Sequence, residues 1–389
     1  MPASPIRKLA HLSEEAKRRG VKVFHLNIGQ PDLPSPTEAF DALSQIQPGV
    51  LSYTPSAGIY SLRSRLSGYY RSFGLNVDPE DIIVTCGGSE AVLFAFMACL
   101  NPGDEIIVPE PAYANYMAFA VSAGAKIVPL TSHIEDNFAL PPVEEIERLI
   151  TPHTKGVLIC NPNNPTGYLY SREELERIRD IVEQHDLYLF SDEVYREFCY
   201  TSVPYVSALQ LEGIDDKVVL IDSVSKRYSE CGIRIGALVT RNSALREVVM
   251  KFCQARLSPP LLGQIVAEAS MDASQSYMQA VHEEYRHRRD CLVAGLNSIP
   301  GVFSPLPTGA FYTVAKLPVD NAEKFCRWCL SDFSYEGMTV FLAPAEGFYT
   351  TPGLGRDEVR IAYVLNIDEL TTALKVLEKA LEVYPGRVV

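Results

Sequence analysis

Short apolar runs alternate with longer segments of mixed polarity over the first 240 residues. The runs have the pattern of buried strands, and the mixed segments space their apolar positions as helices with one covered face do. Strands are predicted at 81–85, 105–108, 126–129, 156–160, 187–190, 218–221 and 235–239. Helices are predicted at 59–71, 91–100, 113–123, 143–150 and 172–185. This alternation predicts an α/β domain whose mostly parallel sheet is covered by helices on both faces.

The pattern changes after residue 240, where the helices become longer and the strands fewer. Helices are predicted at 244–257, 262–289, 321–333 and 367–384, the second of them long and broken. Strands are predicted at 309–317, 339–343 and 358–364. This part therefore predicts a second, smaller α+β domain. Near the N-terminus, a charged helix is predicted at 6–19 and a strand at 25–28, after which Pro34 and Pro36 favour extended backbone.

Glycine-rich and polar stretches directly follow several of the predicted strands. They are a Cys-Gly-Gly-Ser-Glu turn at 86–90, an Asn-Pro-Asn-Asn-Pro-Thr-Gly turn at 161–167, the pair Asp192 and Tyr195, and a Ser-Val-Ser-Lys loop at 223–226. In parallel α/β sheets, ligands bind beyond the carboxyl ends of the strands. We therefore expect these stretches to converge on one site.

The bonds Asn164–Pro165 and Glu110–Pro111 are expected to be cis, because only X–Pro bonds adopt this form readily.

The loop that contains Lys226 suits one kind of chemistry. A lysine flanked by Ser223 and Ser225, and followed by Arg234, can form a Schiff base with an aldehyde cofactor while the hydroxyls and the guanidinium hold that cofactor's phosphate. The turn at 86–90 is a second candidate anion site, since glycines and a helix N-terminus offer free N–H groups. A solvated loop lysine and an ordinary strand-to-helix turn are the alternatives for these two stretches.

Charge and composition narrow the class of protein. The 389 residues carry a net charge of −13, which argues against a nucleic-acid partner but leaves room for a locally positive site. The longest apolar run, at 91–100, is about half the length of a membrane span, and the N-terminus has no apolar signal segment. The nine cysteines have no paired spacing, and the histidines form no metal-binding motif. We expect a cytoplasmic protein without a metal or membrane partner.

The ordered set of motifs resembles that of the class I, fold-type I aminotransferases that depend on pyridoxal 5′-phosphate, and aspartate aminotransferases in particular. The resemblance runs from about Asn27 to about Asn366. It rests on the three turns and loops above, on the Asp-Glu-x-Tyr sequence at 192–195, and on four further features: Gly29, Tyr53 in Tyr-Thr-Pro-x-x-Gly, Arg234 in Arg-x-Gly, and Arg360.

The resemblance implies a large domain with a seven-stranded sheet sandwiched by helices, and a smaller α+β domain. The N-terminal arm and part of the small domain would occupy 1–45, the large cofactor-binding domain 46–285, and the small C-terminal domain 286–389. It also implies a homodimer with two shared active sites, in which Tyr53 reaches the cofactor phosphate of the neighbouring subunit.

Roles for individual residues follow from the same resemblance. Lys226 would hold the cofactor as an aldimine and then shuttle a proton, Asp192 would pair with the pyridine nitrogen, and Tyr195 would bond the phenolic oxygen. The remaining expected cofactor contacts are Gly88, Ser89, Glu90, Tyr113, Asn164, Ser223, Ser225 and Arg234. Gly29, Asn164 and Arg360 would bind the substrate, with Arg360 on its α-carboxylate.

The sequence does not decide the roles of two residues, Glu90 and Arg256, or the identity of the substrate. Glu90 could repel the phosphate, cap the helix or point away from the site. Arg256 could face the neighbour's site and bind a second carboxylate, which would favour aspartate with 2-oxoglutarate as acceptor, or it could form a structural ion pair. Apolar residues such as Ile28 and Phe348 would instead suit neutral or aromatic donors. A C–S lyase or another β-eliminating enzyme is the alternative activity, and a cofactor-binding transcription regulator is the non-enzymatic one.

Overall fold

The computed structural model describes residues 5–388. Its strands are β1 Lys22–His25, β2 Ile82–Thr85, β3 Glu105–Glu110, β4 Lys126–Thr131, β5 Thr154–Cys160, β6 Tyr188–Asp192, β7 Val218–Ser223, β8 Gly236–Val239, β9 Tyr312–Lys316, β10 Met338–Phe341, β11 Ala343–Pro344 and β12 Glu358–Ala362. Its α-helices are α1 Ala10–Arg18, α2 Thr37–Ser44, α3 Tyr60–Ser72, α4 Gly88–Cys99, α5 Asn115–Ser122, α6 Val143–Leu149, α7 Arg172–Gln184, α8 Val224–Arg227, α9 Ser243–Arg256, α10 Leu261–Ser270, α11 Gln275–Ser298, α12 Ala322–Ser331 and α13 Ile367–Val383.

Seven strands form the main sheet in the order β2-β8-β7-β6-β5-β3-β4. All neighbouring pairs are parallel except the two that involve β8, which runs antiparallel to both β2 and β7. The carboxyl ends of the other strands therefore meet at one edge, and the amino end of β8 lies at that edge too. This geometry brings the turns after β2, β5, β6 and β7 together with the residues just before Gly236, as the sequence predicts.

Apolar side chains fill both faces of the main sheet. Every residue of β7 is buried, so this strand lies between two layers of helices, which is why its sequence lacks polar alternation. Helix α7 covers one face and begins with a capping box, in which Ser171 and Glu174 bond each other's backbone N–H. The predicted fold class, an α/β domain with a seven-stranded, mostly parallel sheet, is confirmed.

The smaller domain contains two short sheets. Strand β1 pairs in parallel with β10, and β12 lies between β11 and β9 in an antiparallel sheet. Helix α13 packs against the long helix α11. The predicted division of the chain at residues 45 and 285 stays a prediction, and α11 passes through position 285 without interruption.

Two of the local predictions have different outcomes. The stretch after Pro34 and Pro36 is not wholly extended: helix α2 begins at Thr37, with Pro36 as its N-cap, because a proline that precedes a helix removes no helical hydrogen bond. The break expected within 262–289 is present, since α10 ends at Ser270 and α11 begins at Gln275. Within the described residues, the helices include none that is both long and apolar enough to cross a membrane.

Candidate active site

A cavity of about 710 Å³ opens at the edge of the sheet where the strand ends meet. Twelve of the residues selected from the sequence line it: Gly29, Gly88, Ser89, Tyr113, Asn164, Asp192, Tyr195, Ser223, Ser225, Lys226, Arg234 and Arg360. The expected convergence on one site is therefore what the structure has. The charged residues in its lining are Arg7, Asp192, Lys226, Arg234 and Arg360, so the cavity is locally positive in a chain whose net charge is −13.

Lys226 lies in the single turn of α8, directly after β7. Ser223 caps this turn by accepting a hydrogen bond from the backbone N–H of Ser225, and this cap fixes the position of the backbone that carries Lys226. The partly buried amine donates to the carbonyl oxygen of Gly29 at 3.0 Å and lies 3.7 Å from the sulfur of Cys231. No carboxylate of residues 5–388 forms an ion pair with this amine, so no counter-ion of the chain holds it away from a carbonyl group.

Asp192 ends β6 with its carboxylate in the cavity wall. One oxygen accepts a hydrogen bond from the hydroxyl of Tyr116 at 2.6 Å. Burial raises the pKa of Asp192 to about 6, an effect that the hydrogen bond from Tyr116 partly offsets. A buried carboxylate without a cationic partner among the described residues is suited to receive a cation from a ligand, such as a protonated ring nitrogen.

An anion-binding end of the cavity forms where β2 meets α4. Helix α4 begins at Gly88, and its N-cap Gly87 has a φ of 75°, a conformation that glycine adopts readily. A side chain at Gly87 would overlap the guanidinium of Arg234, which packs against this turn. Arg234 hydrogen-bonds the carbonyl oxygens of Cys231 and Cys86 and pairs with no carboxylate of residues 5–388. A helix N-terminus, an unpaired arginine and the hydroxyls of Ser89 and Ser225 suit a phosphate.

Arg360 is a second arginine without an ion-pair partner among residues 5–388, and it is fully enclosed on β12. Its guanidinium donates to the side-chain oxygen of Asn164 at 3.1 Å and to the carbonyl oxygen of Asn27. Its Nε is buried without a hydrogen-bond partner in the described structure. Burial lowers the pKa of Arg360, and such a buried cation is expected to recruit an anionic ligand.

Asn164 lies in a turn that contains two cis bonds, and a third cis bond lies at the end of β3. The bonds at Asn164–Pro165 and Glu110–Pro111 are cis, as expected, and Asn161–Pro162 is a third that the sequence did not indicate. The side chain of Asn164 reaches the cavity next to Arg360. The turn therefore presents an amide beside a guanidinium.

Tyr195 faces a residue that the sequence did not reveal. The hydroxyls of Tyr195 and Tyr312 are 2.9 Å apart, and the hydroxyl of Tyr312 donates to the carbonyl oxygen of Gly29 at 3.3 Å. A side chain at Gly29 would overlap the ring of Tyr312, so the glycine is required by close packing. Tyr116 and Arg7 are two further lining residues that sequence reasoning missed. The only signal was that Tyr116 follows Tyr113 by three positions on a predicted helix.

Glu90, Arg256 and Tyr53 do not line the cavity of their own chain. Glu90 turns back to accept a hydrogen bond from the N–H of Cys86 at 2.8 Å and forms an ion pair with Arg256. Of the alternatives left open by the sequence, Glu90 therefore points away from the cavity and Arg256 forms a structural ion pair. The Tyr53 side chain is 78% exposed, and Phe348 is buried beneath the guanidinium of Arg360. Ile28 does line the cavity.

Comparison with known proteins agrees with this site. The family described as aminotransferase class I and II matches residues 21–377. An aspartate aminotransferase from Thermotoga maritima is 33% identical over 96% of each chain. The structure of Thermus thermophilus aspartate aminotransferase with maleate superposes with a TM-score of 0.88 at 30% identity, covering 98% of this chain and 97% of the other. An alanine aminotransferase from Pyrococcus furiosus gives 0.88 at 30% identity, covering 97% and 96%.

The fold and the site define a pyridoxal-phosphate-dependent transferase. The chain belongs to the class I and II aminotransferases, and it acts on amino acids and 2-oxo acids with pyridoxal 5′-phosphate as cofactor. The residues present fit that cofactor, because an unpaired buried carboxylate, an unpaired arginine beside a glycine turn and a lysine without an ion-pair partner line one cavity. When bound, the cofactor supplies an aldehyde for amine capture and a ring that withdraws electrons.

Proposed function

We propose that the enzyme moves the amino group of aspartate to 2-oxoglutarate, with Lys226 as the residue that holds the cofactor and transfers the substrate proton. Asp192 pairs with the ring nitrogen, and Tyr195 and Asn164 bond the phenolic oxygen. Tyr113 stacks on the ring, and the phosphate takes the backbone and side chains at 88–89 together with Ser223, Ser225 and Arg234. Gly29 and Arg360 hold the substrate, with Arg360 on the α-carboxylate. All of these residues line the cavity described above, which supports the assignments.

The choice of a dicarboxylic substrate is supported by Arg7, the cation in the cavity lining that has no role in binding the cofactor or the α-carboxylate. Of the cations in the cavity lining, Lys226, Arg234 and Arg360 have roles in cofactor or α-carboxylate binding, and Arg7 has none. Within residues 5–388, Arg7 makes no ion pair, whereas its neighbour Lys8 pairs with Glu323. An unpaired arginine at the mouth of the cavity is suited to the second carboxylate of aspartate or 2-oxoglutarate.

The position of Arg7 is supported by anchors on either side of it. The carbonyl oxygen of Ile6 accepts a hydrogen bond from the side chain of Asn27 at 2.9 Å, and Leu9 is completely buried. The charges of Arg360 and Arg7 both act to lower the pKa of the Tyr113 hydroxyl, although burial outweighs them and raises it to about 12. Both guanidinium groups therefore lie within electrostatic range of Tyr113.

A neutral or aromatic donor is the second candidate. Ile6, Ile28 and Phe119 also line the cavity, and the P. furiosus neighbour is named an alanine aminotransferase. An apolar side chain would contact these residues and leave Arg7 in solvent. The two candidates differ in whether the charge of Arg7 contributes to catalysis.

Comparing Arg7→Gln with Lys8→Gln tests the dicarboxylic substrate. Each holoenzyme would be assayed with aspartate, alanine and phenylalanine, with 2-oxoglutarate held at saturation. Removing a charged contact to the substrate costs about 1.5–3 kcal/mol, so Arg7→Gln should lower kcat/KM for aspartate roughly ten- to hundred-fold while sparing alanine. Lys8→Gln should leave the preference unchanged. A wild-type preference for alanine or phenylalanine would favour the second candidate, and release of ammonia without an acceptor would indicate β-elimination.

The homodimer also belongs to the proposal. Tyr53, Leu257 and Leu262 are large hydrophobic residues that remain exposed in the single chain. The loop that follows Tyr53 is tied to this region by hydrogen bonds from Gln264 to Thr54 and from Ser56 to the carbonyl oxygen of Leu257. Such an exposed apolar group is typical of a subunit interface, and Tyr53 would reach the partner's phosphate site from it.

A cytoplasmic location fits the unpaired cysteines.

A further inference from the structure

Glu90 places a carboxylate in the turn that is proposed to hold a dianionic phosphate. It occupies the first turn of α4, one residue after Ser89. Its oxygen accepts a hydrogen bond from the N–H of Cys86 at 2.8 Å, while the carbonyl oxygen of Cys86 accepts one from Arg234 at 3.4 Å. Glu90 and Arg234 therefore hold opposite sides of one residue. The carboxylate orders the turn, but its charge opposes the phosphate.

Arg256 supplies the opposite charge. It is the last residue of α9, and its guanidinium pairs with Glu90, the two side chains being only 14% and 15% exposed. A second nitrogen donates to the carbonyl oxygen of Ser56 at 2.9 Å. The pair is thus largely withdrawn from solvent. Charges interact more strongly in such a partly buried environment than at the surface.

The Cys86 thiol lies within electrostatic range of all three charged groups. Burial and the charge of Glu90 raise its pKa, while Arg256 and Arg234 act in the opposite direction. Glu90, Arg256 and Arg234 are therefore close enough for their charges to act on the same thiol. Without Arg256, an uncompensated carboxylate would remain beside the phosphate site.

We propose that Arg256 is a positioning residue for cofactor binding, whose charge cancels that of Glu90 so that Glu90 can order the turn at 86–89 without repelling the phosphate. Arg256→Gln should then speed cofactor loss about tenfold, because a negative charge near a dianion is no longer balanced. Glu90→Gln keeps an acceptor for the N–H of Cys86 and removes the charge, so it should retain the cofactor at least as well as the wild type. Combining both substitutions should restore retention to within about threefold of the wild type.

The measurement is the rate of cofactor loss from each holoenzyme, followed by its visible absorbance after rapid dilution, alongside the thermal midpoint of the holoenzyme. Arg246→Gln is the matched control, because Arg246 lies on the same helix and pairs with Asp81 at similar burial, 20% and 15% exposed. It should alter the thermal midpoint without altering cofactor retention. Arg256→Lys should stay close to the wild type, since it keeps the charge.

Two results would overturn the proposal. If Glu90→Gln loses the cofactor as fast as Arg256→Gln, the pair acts only by fixing the turn and charge compensation is wrong. If Arg256→Gln retains the cofactor but loses aspartate selectively, Arg256 binds substrate instead. Should Arg256→Gln fail to fold, the double variant and Arg256→Lys decide the question, because recovery of retention in both requires the charge balance.

Discussion

The hydroxyl of Tyr116 donates a 2.6 Å hydrogen bond to the carboxylate of Asp192, and burial still raises the pKa of that carboxyl from 3.8 to about 6. The folded carboxyl therefore holds its proton more tightly than the unfolded one. Its contribution to stability is present at low pH and is lost as pH rises from about 4 to about 6, a change of roughly 3 kcal/mol in cofactor-free protein.

Asp192→Asn should accordingly stabilise the cofactor-free enzyme while removing its activity. The charge that is costly to bury is absent, so the thermal midpoint at pH 7 should exceed that of the wild type, and the difference should grow between pH 5 and pH 7. Activity should fall at least ~100-fold, because the ring nitrogen loses its counter-charge. Equal midpoints at pH 7 would show that Asp192 is not destabilised by burial.

The assignment of Lys226 predicts a yellow protein whose colour depends on that residue. Lys226→Ala should lack the visible absorbance of the covalently held cofactor, whereas Lys217→Ala should keep it, because Lys217 is paired with Asp186 outside the site. Borohydride reduction followed by peptide mapping should mark the peptide that contains Lys226. A mark on another lysine would refute the assignment.

Shared active sites predict complementation between two impaired chains. Tyr53→Phe weakens the site to which Tyr53 belongs, and Lys226→Ala disables the site of its own chain. Mixing the two variants should restore part of the activity through hybrid dimers, in which one site has both residues intact. Sedimentation should show a dimer, and a monomer with full activity would contradict the proposal.

Close packing at Gly29 predicts a severe effect for the smallest substitution. Gly29→Ala places a methyl group in the ring of Tyr312 and should destabilise the protein by about 1–3 kcal/mol, together with a loss of activity. Gly68→Ala is the control, since a methyl group there meets nothing within 4 Å; in the exposed side of a helix it should stabilise by about 0.5–1 kcal/mol. Chemical denaturation of both variants provides the comparison.

The sequence predicted the centre of the site well because that centre depends on local chemistry and on one topological rule. Asp192, Lys226 and the turn at 86–90 each follow an apolar strand, and parallel strands bring such ends to the same edge of a sheet. Arg234 reaches that edge for a different reason: β8 runs antiparallel, so its amino end lies there. The antiparallel direction of β8 was not evident from its apolar sequence.

The outer residues of the site were harder to predict from the sequence, because their positions depend on packing between segments that are distant in the chain. Arg7 looked like one of several charges on an amphipathic helix, and Tyr312 like one aromatic residue on a strand. Both reach the cavity only after the smaller domain folds against the main sheet. The ion pair between Glu90 and Arg256 joins residues far apart in the chain, so the sequence could offer it only as one alternative.

The carbonyl oxygen of Gly29 is shared between the two domains. It accepts one hydrogen bond from Lys226, on the main sheet, and another from Tyr312, on the first strand of the antiparallel sheet. Whenever the lysine engages a carbonyl compound, that oxygen keeps only the bond from the smaller domain. We therefore expect the covalent state of this amine to affect how freely the domains rotate against each other. Small-angle scattering of cofactor-free wild-type and Lys226→Ala proteins would register this link as a difference in radius of gyration, and identical profiles would argue against it.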